Sequence, residues 1–190
     1  MPDEEPGPYA VRRPLLLGAN PFATLYAAGE PSAYVSVWRV DWSIWGGGNV
    51  LILWYDGRLH VVGDDGRLAG RIEEYFVRNF DEATALPGWP AATVTVADTV
   101  VHVDPASGTT AHGGDITVRL SGILDARPFA APEFPLHGRG HGLSMQVLPC
   151  AEATVTLAGR RLPGAPRVTR DDRGRPLSSA VCTLHEAWSG

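Results

Sequence analysis

Between residues 34 and 45 apolar and polar positions alternate, so that Trp38, Val40, Trp42 and Ile44 share one face of an extended strand and Arg39, Asp41 and Ser43 the other. Comparable alternating, β-branched or aromatic runs follow at 49–55, 58–62, 93–97, 99–104, 116–120, 143–148, 153–158 and 179–188, which predicts about nine strands. Residues 15–26 are also apolar but are broken by Asn20-Pro21, and read as a short strand with a covering loop. Asp56-Gly57 is a two-residue hairpin signal, because both turn positions must tolerate positive φ. Ala158-Gly159, Arg173-Gly174 and the stretches 46–48 and 105–108 supply further turns, and short turns imply antiparallel neighbours.

One segment has helical spacing. Leu68, Ile72, Phe76 and Phe80 recur every four residues, with Arg71, Glu74 and Arg78 off the stripe and Asp64 and Asp65 placed to cap the start. Gly70 costs this helix about 1 kcal/mol relative to alanine, so an irregular first turn is expected. The run 50–55 is apolar on both faces, Val50, Ile52 and Trp54 on one and Leu51, Leu53 and Tyr55 on the other, as in a strand covered on both sides. The expected fold is mainly β: an antiparallel β-barrel or strongly curled sheet of about nine strands, with one amphipathic helix packed outside. A two-sheet β-sandwich is the alternative. Residues 1–14, with four prolines, read as an extended arm, and 15–190 as a single domain.

Composition narrows the function. The chain has 190 residues, a net charge of −5 and 16 basic residues, all arginine and scattered, so no basic face is available for nucleic acid or an anionic membrane. The absence of lysine excludes Schiff-base chemistry, a pyridoxal phosphate anchor and a P-loop. No run reaches the roughly 18 apolar residues of a membrane span. A twin arginine precedes an apolar run near the start, but the leader is acidic and Pro14, Gly18, Asn20 and Pro21 interrupt it, so a cytoplasmic protein is expected. Cys150 and Cys182 lack metal-like spacing and read as reduced, buried thiols.

Arg39 and Asp41 are the sharpest catalytic candidates, since i and i+2 on a strand share a face. Outside, they are a solvated ion pair. Inside a barrel, with Trp38 and Trp42 against the helix, they would be a donor fork beside a carboxylate, able to hold a carbonyl or move a proton. His102 and His185 lie in apolar strands and become general acid or base candidates if they face that interior; Glu186 takes the opposite face from His185. His137 and His141 have an H-x-x-x-H spacing, but the glycines and Pro135 around them argue for a loop, 131–142, over a barrel mouth rather than a metal site. Neither a G-x-S-x-G elbow nor a helix following the glycines of 46–48 is present to support hydrolysis or phosphate binding. Trp38, Trp42, Trp54, Tyr55 and Trp188 are candidates for walls of an apolar pocket.

The strand "YVSVWRVDW", the serial hairpins, the single outer helix and the ending "SSAVCTLHEAW" resemble a lipocalin-type (calycin-like) β-barrel, in particular the hydratase- and cyclase-type lipocalin domains, over about residues 34–188. The G-x-W opening is absent and the helix sits early rather than near the C-terminus. The resemblance implies a barrel around an apolar ligand and, in biosynthetic relatives, cofactor-free cyclisation, hydration or isomerisation; it transfers no catalytic residue. Three functions are therefore expected in turn: a cofactor-free cyclase or isomerase enclosing a hydrophobic intermediate such as a polyketide or isoprenoid, a non-catalytic carrier of a lipid or other apolar molecule, and a filled β-sandwich interaction module. The first two take a hydrophobic small molecule as partner, without metal or cofactor, and an exposed strand edge would permit a homodimer.

Overall fold

A computed structural model describes residues 12–136 and 139–189. In chain order the elements are β1 (Pro14–Ala19), β2 (Phe22–Ala27), β3 (Glu30–Ser43), β4 (Gly48–Tyr55), β5 (Arg58–Gly63), α1 (Gly66–Tyr75), a 3-10 turn (Val77–Asn79), α2 (Asp81–Thr84), β6 (Ala92–Val96), β7 (Thr99–Asp104), β8 (Gly108–Gly113), β9 (Ile116–Ile123), β10 (Arg127–Leu136), β11 (Arg139–Leu157), β12 (Arg160–Arg161), β13 (Thr169–Arg170), β14 (Pro176–Leu177) and β15 (Ala180–Ser189). Thirteen strands form one sheet in the order β6-β5-β4-β3-β1-β15-β11-β9-β8-β7, with β10 and β12 also on β11, while β13 and β14 pair separately. β1 and β2 each bridge β3 to β15, so these four strands close a ring of pairings. The protein is thus a mainly β, barrel-like curled sheet with a helix against it, as the apolar pattern predicts.

The curl creates two cores. The inner one joins Val35, Val37, Leu51 and Leu53 from β3 and β4 to Val118, Leu120, Leu148 and Val155 across the barrel. The outer one joins Tyr34, Trp38, Val50, Ile52 and Trp54 to Leu68, Ile72, Phe76 and Phe80. Strand β4 is therefore apolar on both faces because it belongs to both cores. Asp65 caps α1 by accepting from the backbone N–H groups of Arg67 and Leu68, and α1 is regular through Gly70. It stops at Tyr75, yet the stripe continues: Phe76 and Phe80 dock beyond the helix through the 3-10 turn.

Several expectations are corrected. β5 and β6 pair in parallel, joined across α1 rather than by a hairpin. The runs 143–148 and 153–158 are parts of one long strand, β11, which pairs with β10 and β15 before Pro149 and with β9 after Cys150. β8 was hidden because "GTTAHG" lacks apolar alternation, and β10 because two of its prolines fall in its second half; that strand pairs with β11 alone, and an edge strand tolerates missing N–H donors. The described residues of the expected loop 131–142 are strand, 131–136 in β10 paired antiparallel with β11 from residue 139 on; His137 lies outside the described residues. The first eleven residues of the expected arm also lie outside them, but Pro14 already begins β1, and the backbone of Arg13 accepts from the Ser189 N–H at 2.8 Å.

Candidate functional site

Phe80 ends the apolar stripe in an extended conformation, which breaks the helical course and starts α2 at Asp81. Its ring is fixed from two sides, stacked on Trp38 at 6.2 Å and edge-on to Phe134 at 5.9 Å. This sets Glu82, in the first turn of α2, over a cleft of about 360 Å³ on the outer side of the sheet. Phe80, Phe129, Phe134, Leu143 and Met145 make much of its wall, the last four from the paired strands β10 and β11. Asn20 lines the same cleft; its side-chain N–H₂ donates to Ser36 Oγ at 2.9 Å and to the Val37 carbonyl at 3.0 Å, and Ser36 Oγ also accepts from the Trp38 indole at 2.9 Å. The wall is thereby tied to the aromatic core behind it.

Burial raises the pKa of the Glu82 carboxyl above its ordinary value, its own backbone N–H partly offsets this, and Asp81 beside it adds to the rise. The influence runs inward as well. Burial first, and the Glu82 charge next, push the Tyr34 hydroxyl and the Cys182 thiol upward. Among the described residues no cation pairs with Glu82. Arg127 also lines the cleft, but its guanidinium is committed to Asp125 at 3.0 Å and to the Pro176 carbonyl at 2.9 Å. A carboxyl whose ionisation burial disfavours, set in aromatic walls, is suited to giving and taking a proton.

The residues expected from the sequence lie elsewhere. Arg39 and Asp41 do pair, at 3.0 Å, and Arg39 keeps the parity of Val35 and Val37, away from the helix. It sits beyond the filled inner core, however, and the two side chains are 41% and 55% exposed, so the solvated arrangement is the one found. A bulge explains why alternation misled. Gly18 faces Val40 while Leu17 faces Trp42, so Asp41 is the extra residue, and Trp42 turns outward at 45% exposure instead of joining the helix. His102 projects from β7 into solvent. His185 is fully buried between Trp38 and Phe76, with ring centroids 5.1 and 6.2 Å away, and neither ring nitrogen has a hydrogen-bond partner. Burial depresses its pKa to about 3. Trp38 and Trp54 fill the outer core, Tyr55 packs half-buried against the inner one, and Trp188 is half-buried on β15.

None of these nine residues lines the cleft, although Trp38 and His185 stand directly behind its Phe80 wall. The acids and the arginine that do line it, Asp81, Glu82 and Arg127, were missed; the one available signal was the acidic pair straight after Phe80, the last apolar position of the helical stripe. Cys150 and Cys182 are buried and in no disulfide; the Cys150 thiol donates to the Leu148 carbonyl at 3.5 Å, and burial pushes it up to about 11. No group of three metal-binding side chains occurs among the described residues, and no helix there is long and apolar enough to cross a membrane. Compared with known proteins, the chain matches no family model, no curated protein and no solved structure.

Proposed function

We propose that the outer cleft binds a hydrophobic small molecule and that Glu82 transfers a proton to and from it, making the protein a cofactor-independent isomerase or cyclase of apolar intermediates such as polyketides or isoprenoids. The observation that carries this reading is the uncompensated, partly desolvated carboxyl of Glu82 among aromatic rings. In that setting the acid form protonates an alkene or enol carbon, and the resulting carboxylate removes a proton from a neighbouring carbon, shifting the double bond or closing a ring. The aromatic walls hold the substrate in a reactive fold and exclude water. The barrel-like sheet with a helix against it supports the kinship with lipocalin-type barrels, with the difference that the ligand site stands outside the packed inner core.

The reading is tested with β,γ-unsaturated ketones in D₂O. Wild-type protein is expected to incorporate deuterium at the shifted position, and Glu82→Gln to bind the same ketones with at least a ~100-fold loss of exchange. Binding by the wild type without exchange would leave the second reading, a carrier of apolar molecules. That reading draws on the predominantly apolar lining and on the neutralisation of Arg127 by Asp125.

A further inference from the structure

The cleft does not end at Glu82. A second cleft of about 330 Å³ adjoins it, and the two share Phe22, Glu82, Leu177 and Ser178 as common lining. Their character differs. The first is walled by rings and aliphatic chains, whereas the second carries Arg167. The Arg167 guanidinium lies 4.1 Å from the centre of the Tyr26 ring and donates to the Gly29 carbonyl at 2.5 Å. These contacts hold it in place without neutralising it, and no described carboxylate forms an ion pair with it. At the junction the Ser178 hydroxyl is buried and has no hydrogen-bond partner. A hydroxyl without a partner at this point leaves hydrogen-bonding capacity open to a ligand oxygen where the two clefts meet.

We infer that the ligand of this site is an amphipathic carboxylic acid, its apolar body in the first cleft and its carboxylate on Arg167 in the second. The inference rests on the proposed binding role of the first cleft. It assigns the charged end to Arg167 rather than Arg127, whose charge Asp125 already balances. The guanidinium offers a planar fork of donors that suits a carboxylate. The chain passing between the two ends runs beside Ser178 and Glu82, which places the interior of the ligand, not its terminus, at the proton-transferring group.

Decanoate, decanol and decyltrimethylammonium separate the alternatives by calorimetry, with the ε-methyl of Met145, which lines the first cleft, as an NMR reporter of occupancy. Decanoate is expected to bind about 10-fold tighter than decanol at low salt, through a charge-assisted contact. Arg167→Gln is expected to abolish that preference while leaving decanol binding and the Met145 shift unchanged; Arg167 is exposed, so the fold tolerates the change. Equal binding of acid and alcohol, or tighter binding of the ammonium compound, would overturn the carboxylate assignment and leave the apolar site standing. Failure of all three to bind or to move the Met145 signal would overturn both.

Discussion

His185 is the residue whose surroundings most contradict its chemistry. Its neutral ring serves as an aromatic filler between Trp38 and Phe76, and protonation there would place a charge in an apolar core with nothing to receive its hydrogens. The unfolded chain takes up this proton at its ordinary 6.5, whereas the folded chain refuses it down to about 3. The stabilisation is therefore complete above 6.5 and is lost as pH falls from 6.5 toward 3, at up to about 1.4 kcal/mol per pH unit from this group. His185→Leu should unfold near wild-type denaturant concentration at pH 7 and show a flatter loss between pH 6.5 and 5. Identical slopes in urea titrations of the two proteins would refute that account. Site residues were poorly legible at this scale because parity alone sorted them. Trp42 and His185 have faces that follow from bulges, and a bulge depends on the partner strand, which the local pattern does not contain.

The second bulge shows how an element overrides its own sequence. Between the pairs Ser144–Glu186 and Gln146–Thr183, β15 carries one residue more than β11; Leu184 adopts φ 50° and is extruded to 75% exposure, and His185 thereby lands on the helix side. Helix α1 was the most legible element, since its cap, stripe and docking face all follow from spacing. Its Gly70 has open space where a Cβ would go and an ordinary helical backbone, so Gly70→Ala should stabilise the protein by about 0.5–1 kcal/mol, read as a rise in Tm. Glu73 is a different matter. Although on α1, it is buried and accepts from Arg78 at 2.7 and 3.0 Å and from the Trp89 indole at 2.8 Å, pinning the segment after α2 to the helix. Glu73→Ala should cost about 2 kcal/mol in chemical denaturation, against less than about 0.5 for Glu74→Ala, whose partner Arg71 is exposed with it. Equal costs for the two would remove the anchoring role.

At the scale of the molecule, the fold class followed from the strands' two-faced apolar pattern, while the strand order did not. The pattern states that β4 is covered on both sides but not that β1 neighbours β15, since that pairing depends on which edges are left once the hairpins have formed. The sheet divides at this seam: β1 to β6 lie on one side and β7 to β12 on the other, with β15 hydrogen-bonded to β1 and β2 on one flank and to β11 on the other. Removing residues 180–189 should therefore unfold the whole chain rather than fray one end. A truncated protein that kept protected amides in β3 and β4 by hydrogen exchange would contradict this.

The seam has a consequence in time. During synthesis β1 to β5 and their helix leave the ribosome well before β15, the partner that completes β1, which follows it by about 160 residues. At ordinary elongation rates the interval is on the order of ten seconds. Through that interval "LLLG" of β1 presents an unsatisfied strand edge to every neighbouring nascent chain. Slowing translation between β5 and β15 should then lower soluble yield more than slowing it across β1 to β5, with the same finished protein in both cases.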